Sequence, residues 1–192
     1  MKKDDKWYFI DTKGNVTASI AGTYVMILPY YDKYWVTGDD EKFGLVDIEG
    51  HVVLPCLYDD IATSADDNWI RAMKDDKVGV FDSKGRKRVD FIYDMVGDIN
   101  EDMIAVQNDG KCGYITPAGK EIVPCIYDDA YGANEGMASV KRDGKWGFVN
   151  TAGKEVIPCI YDDSSPNFDD GTVSVMLDGE YFLIDKNGKR VQ

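Results

Sequence analysis

A phrase of 19 residues occurs twice in this chain, and it constrains the fold more than any other feature does. KWGFVNTAGKEVIPCIYDD spans residues 145–163, and KCGYITPAGKEIVPCIYDD spans residues 111–129. Less similar copies complete a set of six, which begin near residues 6, 42, 77, 111, 145 and 180. A repeat of about 35 residues is typical of proteins built from similar structural units that pack on one another.

Glycine recurs at one position of every unit, with spacings of 34 to 36 residues: Gly14, Gly50, Gly85, Gly119, Gly153 and Gly188. It ends four-residue connections such as NTAG, where a left-handed backbone conformation closes a hairpin. Asp-Gly pairs such as Asp143-Gly144 are a second hairpin signal. The sequence therefore predicts two tight turns in each unit.

Three strands are predicted between these turns. Apolar and polar residues alternate before the lysine, as in MASVK (residues 137–141), and this alternation predicts strand A. WGFVN (146–150) predicts strand B, and KEVIP (154–158) predicts strand C. We expect Pro158 to end strand C, because proline has no N–H to donate to a sheet. A short fourth strand is possible at the following Cys-Ile-Tyr-Asp.

The predicted fold class is all-β, with six tandem three-stranded meander repeats in a single domain over residues 1–192. The first and last units are degenerate copies. A single meander has too small a core to be stable alone, so we expect each unit to bury its faces against its neighbours. A propeller-like ring is favoured over an open stack of β-hairpins, because closure protects strand edges.

A second recurring glycine lies in the middle of strand B in the four inner units: Gly44, Gly79, Gly113 and Gly147. Tyr8 and Phe182 replace it in the terminal units. Glycine weakens a strand, so its presence indicates the close approach of another group. We expect a neighbouring unit to pack over it, through its Tyr-Asp-Asp segment.

Charge restricts the classes of partner. The 192 residues carry a net charge of −13. Such a surface repels nucleic acid and anionic lipid, and it favours a basic protein or peptide.

No apolar stretch approaches the roughly 20 residues of a membrane helix. As the sequence stands we expect a cytoplasmic protein, or a periplasmic or cell-surface one if an export signal has been removed. The oligomeric state is not predictable.

Residue types give little support for catalysis or for a cofactor. The chain has one histidine and four cysteines with no Cys-x-x-Cys pair, so no metal site and no cofactor are expected. Three cysteines follow a proline at one repeat position, and we interpret them as small core residues. Aspartate pairs recur in Tyr-Asp-Asp, where capping of turns is the economical interpretation.

Aromatic residues supply the one candidate binding site. Most recur at fixed repeat positions and are expected in the core. A different cluster lies in residues 17–37, which do not match the repeat pattern: Tyr24, Tyr30, Tyr31, Tyr34 and Trp35. An exposed aromatic patch there would bind a partner. Asp90 and Phe91, which replace the proline and cysteine of the third unit, are a second departure from the pattern.

The repeated unit resembles the bacterial WG repeat, also called the KWG repeat. Lys145-Trp146-Gly147-Phe148, followed by Gly153-Lys154-Glu155-Val156-Ile157-Pro158, matches that motif almost letter for letter. The resemblance implies a tandem all-β protein with a binding or scaffold role and with no established catalytic residues.

These observations favour a non-catalytic module for protein–protein interaction. A module that binds glycans or another ligand at the cell surface is the alternative. A hydrolase that uses a carboxylate pair is a remote alternative.

Overall fold

The computed structural model describes residues 2–3, 6–10, 12–21, 24, 26–30, 33–38, 40–63 and 69–191. These residues form strands and turns without any helix, which confirms the all-β prediction. The chain forms two compact units, residues 1–87 and 88–192. That the whole chain is a single domain, and that it closes into a ring, stay predictions.

The described residues of the first unit form ten strands: β1 (Lys2–Lys3), β2 (Lys6–Ile10), β3 (Val16–Ala21), β4 (Met26–Tyr30), β5 (Lys33–Thr37), β6 (Phe43–Asp47), β7 (Val52–Tyr58), β8 (Asp60–Thr63), β9 (Trp69–Lys74) and β10 (Lys77–Asp82). The order β1-β2-β3 forms one sheet and β4-β5-β6-β7 a second. Strand β9 pairs with both β8 and β10, and every pairing in this unit is antiparallel.

Strand β11 (Lys87–Tyr93) begins at the boundary, and the second unit continues with eleven more strands: β12 (Met95–Asn100), β13 (Met103–Asn108), β14 (Lys111–Ile115), β15 (Glu121–Tyr127), β16 (Asp129–Ala130), β17 (Met137–Arg142), β18 (Lys145–Asn150), β19 (Glu155–Tyr161), β20 (Asp163–Ser164), β21 (Thr172–Leu177) and β22 (Glu180–Asp185). They form the antiparallel sheets β12-β13-β14-β15, β16-β17-β18-β19 and β20-β21-β22.

A strand precedes strand A in these sheets, and sequence reasoning did not place it there. We call it the leading strand. In the fourth repeat, β12 is the leading strand and β13, β14 and β15 are strands A, B and C. The leading strand therefore begins at the second aspartate of Tyr-Asp-Asp in β8, β16 and β20, and at the equivalent Met95 in β12. Cys-Ile-Tyr, where a fourth strand was considered, belongs to strand C itself.

Proline does not end strand C, contrary to the prediction. Strand β19 runs through Pro158 to Tyr161. Trp146 pairs with Tyr161 and Phe148 with Ile157, so four steps on strand C face two steps on strand B. This bulge accommodates Pro158, because bulged residues do not need to donate to the partner strand.

The mid-strand glycine packs against this bulge in its own sheet. A Cβ atom at Gly147 would lie 2.6 Å from the carbonyl oxygen of Ile157 and 2.7 Å from the amide nitrogen of Cys159. The expectation that a neighbouring unit covers this glycine is therefore wrong. The bulge pushes the backbone of strand C towards strand B, and only a residue without a side chain leaves room for it.

The neighbouring sheet instead contacts the turn glycine. Gly153 has a φ of +80°, and a Cβ there would lie 2.6 Å from the carbonyl oxygen of Ile122 on the preceding strand C. Gly85 and Gly119 approach the backbone of Val53 and Arg88 in the same way. This turn therefore needs glycine for its conformation and for its contact with the preceding sheet.

Successive sheets share their cores, as expected for repeats that bury their faces against each other. One core joins Tyr114, Val123 and Tyr127 of one sheet to Ala138, Val140 and Val149 of the next. A second joins the fifth and sixth sheets: Trp146, Phe148, Ile157 and Tyr161 pack with Val173, Val175 and Ile184. Tyr114 and Phe148 are fully buried. The recurring tyrosines are buried core residues, as predicted: Tyr58, Tyr93, Tyr127 and Tyr161. At the other recurring aromatic position Trp146 is buried, whereas Trp7 and Phe43 are half-buried.

The first aspartate of Tyr-Asp-Asp connects two sheets through its two oxygens. Oδ1 of Asp128 accepts a hydrogen bond of 2.5 Å from Lys111 Nζ on strand B of its own sheet. Oδ2 accepts one of 3.4 Å from the N–H of Gly144, in the next A–B hairpin. Its own N–H donates to the carbonyl of Lys141 at 2.7 Å. We call this arrangement the aspartate fork.

The fork recurs in other repeats. Asp162 pairs with Lys145 and accepts a hydrogen bond of 2.9 Å from the N–H of Asp178. Asp59 pairs with Lys42 and accepts one of 3.1 Å from the N–H of Asp75. The second aspartate has a local role: Oδ1 of Asp129 accepts the N–H of Ala130 at 2.9 Å. The recurring Asp-Asp pair thus has a structural role, but only the second aspartate bonds locally; the first connects to a lysine and to the next hairpin instead of capping its own turn.

Gly147→Val is expected to lower the free energy of unfolding by about 1–3 kcal/mol or more, since 1–3 kcal/mol is the usual cost of overpacking. The new side chain would meet backbone atoms, which cannot rotate away. Urea denaturation measures the effect. Gly144→Ala is the control, since a Cβ there has open space and only its φ of +78° is unfavourable. An equal loss in the two variants would contradict the packing explanation.

Asp128→Asn is expected to destabilise the protein near neutral pH. The hydrogen bond from Lys111 lowers the pKa of the Asp128 carboxyl below its ordinary value. A lowered pKa in the folded state stabilises the protein above the unfolded-state pKa of about 3.9, and this stabilisation is lost as the pH falls through the folded-state pKa.

The difference in urea midpoint between wild type and Asp128→Asn should therefore shrink below about pH 4. Asp143→Asn, at an exposed turn residue with a φ of 52°, is the control, because asparagine also accepts this conformation. A difference that is independent of pH would show that the ion pair contributes nothing.

Candidate binding surface

The predicted aromatic cluster is only partly exposed where it is described. Tyr24, Tyr34 and Trp35 are half-buried. The carbonyl of Tyr24 accepts a hydrogen bond of 3.0 Å from Trp7 Nε1. The ring of Tyr34 stacks on that of Phe9 with their centroids 3.9 Å apart. Tyr24 and Tyr34 thus cover a small core beneath them, and a binding role for the cluster stays a prediction.

The other two predicted residues add nothing to this picture. Tyr30 is the last residue of β4, and its side chain is not described. Tyr31 lies outside the described residues. Of the five predicted residues, Tyr24 and Tyr34 pack against the same small core of Val36 and Val46.

Sequence reasoning missed a row of exposed aliphatic side chains on strand C. Strand β15 buries Val123 and Tyr127 and exposes Pro124 and Ile126. The equivalent residues have about half of their surface exposed: Leu57 (52%), Ile92 (54%), Ile126 (45%) and Ile160 (46%). The signal in the sequence is the recurring Leu or Ile of Pro-Cys-[Leu/Ile]-Tyr.

The alternation of side chains along strand C explains why these side chains point outwards. A two-residue alternation places Ile126 on the face opposite to Tyr127, and Tyr127 is anchored in the shared core. Strands β15 and β19 are also the last strands of their sheets. Each therefore combines an exposed aliphatic side chain with a sheet edge, the combination used when a partner adds a strand.

Acidic turns lie close to this row. Asp143 is exposed, and its neighbour Gly144 contacts the fork aspartate Asp128, two residues beyond Ile126. Asp109 and Asp178 are exposed at the equivalent turn position. Lysine pairs with the fork aspartate. Lys141 and Arg142 lie beside Asp143 in the same hairpin, so the turn aspartates do not make this end of each sheet negative.

The cysteines do not have the properties of nucleophiles. Burial raises the pKa of the Cys56, Cys125 and Cys159 thiols. A reactive cysteine needs the opposite shift, because the thiolate is the attacking species. The thiol of Cys159 donates to the carbonyl of Val140, on strand A of the same sheet, at 3.8 Å. These residues are half-buried in the bulge and are less deeply buried than predicted.

One group of three potential metal ligands occurs among the described residues. His51 Nδ1 lies 3.0 Å from Asp47 Oδ2 and 3.6 Å from Glu49 Oε2. Asp47 Oδ1 already accepts the N–H groups of Glu49 and His51, at 2.9 and 2.8 Å. These hydrogen bonds close the B–C turn, as Asn150 does in the fifth repeat. Turn formation is enough to explain this group.

No helix in the described part of the chain is long and apolar enough to cross a membrane. The aspartates, cysteines and aromatic residues that recur in the repeats all have structural partners. The exposed row on strand C is the recurring feature that the fold itself does not explain.

Comparison with solved structures shows similarity at low sequence identity. The crystal structure of a eukaryotic initiation factor has a TM-score of 0.53 and 9% identity, over 86% of this chain and 52% of that one. The computationally designed Ika8 protein has a TM-score of 0.44 and 13% identity, over 92% and 64%. The WD40 domain of SCAP from fission yeast has a TM-score of 0.38 and 11% identity, over 88% and 55%.

The chain thus spans about half to two thirds of these structures. At such low sequence identities only the folds can be compared. Of these three structures, only the initiation factor has a TM-score high enough to indicate a similar fold. No curated protein matches the chain in sequence.

The family comparison is more specific. The model of the WG containing repeat matches four times, at residues 43–77, 79–112, 113–146 and 146–181. These matches cover well over half of the chain and coincide with the repeats that carry the bulge, the mid-strand glycine and the exposed row. The chain therefore belongs to the WG-repeat family.

Proposed function

We propose that this chain is a non-catalytic interaction module that binds another protein along the exposed face of its C strands. The observation that carries the proposal is the half-exposed aliphatic side chain at one repeat position, as at Ile126 and Ile160. A scattered exposed aliphatic residue needs no explanation, whereas one that recurs at the same position offers a partner regularly spaced contacts.

Burial of these side chains would supply the apolar part of the binding energy. Each isoleucine keeps about half of its surface in contact with water, and a partner that covers it removes apolar area from solvent. The adjacent sheet edge offers backbone groups to an extended segment of the partner only beyond Pro124, because the next turn covers the carbonyl of Ile122 and proline has no N–H. Apolar contact and backbone pairing together are the usual basis of binding by strand addition.

Charge indicates the kind of partner. The net charge is −13. A basic protein or peptide would be attracted to such a chain, and salt would weaken the attraction. We therefore expect the partner to present lysine or arginine beside apolar residues.

A triple variant, Ile92→Ser, Ile126→Ser and Ile160→Ser, should lose a partner that the wild-type chain captures from cells that express it. Serine removes the apolar contact but fits an exposed strand position, so folding should be retained. Quantitative affinity capture with identification of bound proteins makes the comparison. A partner for the proposed surface should be depleted at least tenfold on the variant.

The matched control is Ala118→Ser, Ala152→Ser and Asn187→Ser, at three exposed B–C turn positions. It introduces the same number of serines without a change in charge. Circular dichroism melting checks that both triple variants fold. If the folded strand C variant captures the same proteins in the same amounts as the control, the proposed surface is not the binding surface.

A further inference from the structure

One face of the sixth sheet is apolar and exposed. The sheet consists of β20, β21 and β22, and its buried side chains Val175 and Ile184 pack on the fifth sheet. On the opposite face of β22, Tyr181 has 59% and Leu183 has 46% of its surface exposed. Side chains alternate along a strand, so these two residues share the face that points away from the fifth sheet. We call it the outward face.

Two further apolar side chains extend the outward face. Met176 pairs with Tyr181 across β21 and β22 and is half-buried. The N–H of Val191 donates to the carbonyl of Leu183 at 2.8 Å, and Val191 is exposed. Residues directly opposite each other in an antiparallel pair lie on the same face. The outward face is therefore a contiguous patch, whereas a single exposed apolar side chain would need no explanation.

The same positions are buried in the inner sheets. Trp146 of the fifth sheet is equivalent to Tyr181 and is buried. Phe148 is equivalent to Leu183 and is fully buried, because the sixth sheet packs over both aromatic residues. In the fourth sheet Tyr114 has this position, and the fifth sheet buries it in the same way. Inner sheets thus use this face to pack on another sheet, and the sixth sheet keeps its apolar character.

The edge of the sixth sheet does not accept the usual strand C. Phe182 replaces the mid-strand glycine, and at Gly147 even a Cβ would lie 2.6 Å from the backbone of the bulge. Arg190 lies over the Phe182 ring instead, with its guanidinium carbon 4.4 Å from the ring centre, and it pairs with Glu180. The outward face, rather than the strand edge, is the apolar surface that this sheet offers to a partner.

Charge at this sheet favours a second copy of the chain as the partner. Residues 172–192 form β21, β22 and the segment that follows, and their net charge is zero because three acidic and three basic side chains balance: Asp178, Glu180, Asp185, Lys186, Lys189 and Arg190. Residues 1–171 therefore carry the entire net charge of −13.

The neutral strands can meet an identical surface without the repulsion that the rest of the chain would cause. Strand β20 adds one exposed carboxylate beside the face, and Asp163 Oδ2 accepts a hydrogen bond of 2.8 Å from the Tyr181 hydroxyl. This carboxylate lies at the polar rim of the apolar patch. A polar rim around an apolar centre is the usual composition of a protein interface.

We propose that the outward face of the sixth sheet binds the same face of a second copy of this chain, and that the two copies form a two-fold symmetric dimer. Two-fold dimers are the commonest homo-oligomers, and their interface is one patch that meets itself. Packing of one apolar sheet face on another continues the contact that the inner sheets already make. The interface uses none of the residues of the proposed partner-binding surface, so either proposal can fail without the other.

Sedimentation velocity of the full chain over a range of concentrations measures the dimer. Physiological salt screens the overall charge, and a reducing agent keeps the four cysteines from forming disulfides between copies. We expect a reversible equilibrium between monomer and dimer. Hydroxyl-radical footprinting should show Tyr181 and Leu183 protected at high concentration. Ile160, which is as exposed as Leu183 but lies on strand C, should stay equally reactive.

Leu183→Glu should weaken the dimer by about tenfold or more, because it places a charge in the apolar contact of both copies. Ile48→Glu is the matched control, since it adds the same charge at an aliphatic residue that is 51% exposed in a B–C turn. It should leave dimer formation unchanged. Circular dichroism melting checks that each variant folds. Leu183→Ser, which removes the apolar contact without adding charge, is the second variant if Leu183→Glu does not fold.

Three results would overturn the proposal. The first is a wild-type chain that stays monomeric at every concentration. The second is a dimer that folded Leu183 variants form as readily as wild type, which would place the contact on another surface. The third is growth beyond the dimer with rising concentration, which would indicate head-to-tail stacking of two different faces instead of a two-fold contact.

Discussion

The core shared by successive sheets is the interaction on which the rest of this structure depends. Tyr114 and Val140 belong to different repeats yet are buried in one cluster. A three- or four-stranded sheet buries too little apolar surface to be stable alone, so its neighbour must cover it. The other recurring features either hold neighbouring sheets together or leave room for backbone segments that lie unusually close.

Two recurring glycines leave room for close backbone contacts, one within a sheet and one between sheets. Gly147 allows the bulge of strand C to press on strand B within one sheet, and Gly153 allows a turn to lie on the backbone of the preceding sheet. The aspartate fork adds a polar connection at the end of the strands, since Asp128 bonds to Lys111 of its own sheet and Gly144 of the next. Packing and polar contacts therefore repeat with the same period as the sequence.

Internal repetition also separates residues of the scaffold from residues that the scaffold does not need. Tyr127 recurs and is buried, so the core explains it. Ile126 recurs and is exposed, which supports a binding role for the whole row. Lys33 is buried at a position where two other repeats have methionine. Membership of the WG-repeat family agrees with an interaction scaffold.

The sequence by itself determined the repeat length, the all-β class, the two hairpin turns and the core position of the periodic aromatic residues. These follow from local chemistry: Asp-Gly and turn glycines adopt left-handed conformations, and alternation defines a strand. Only the tertiary structure decided that strand C continues through Pro158, which glycine faces the neighbouring sheet, and that Ile126 is exposed while Lys33 is buried. Those outcomes depend on which backbone approaches which, and a bulge shifts that relation without a distinctive residue pattern.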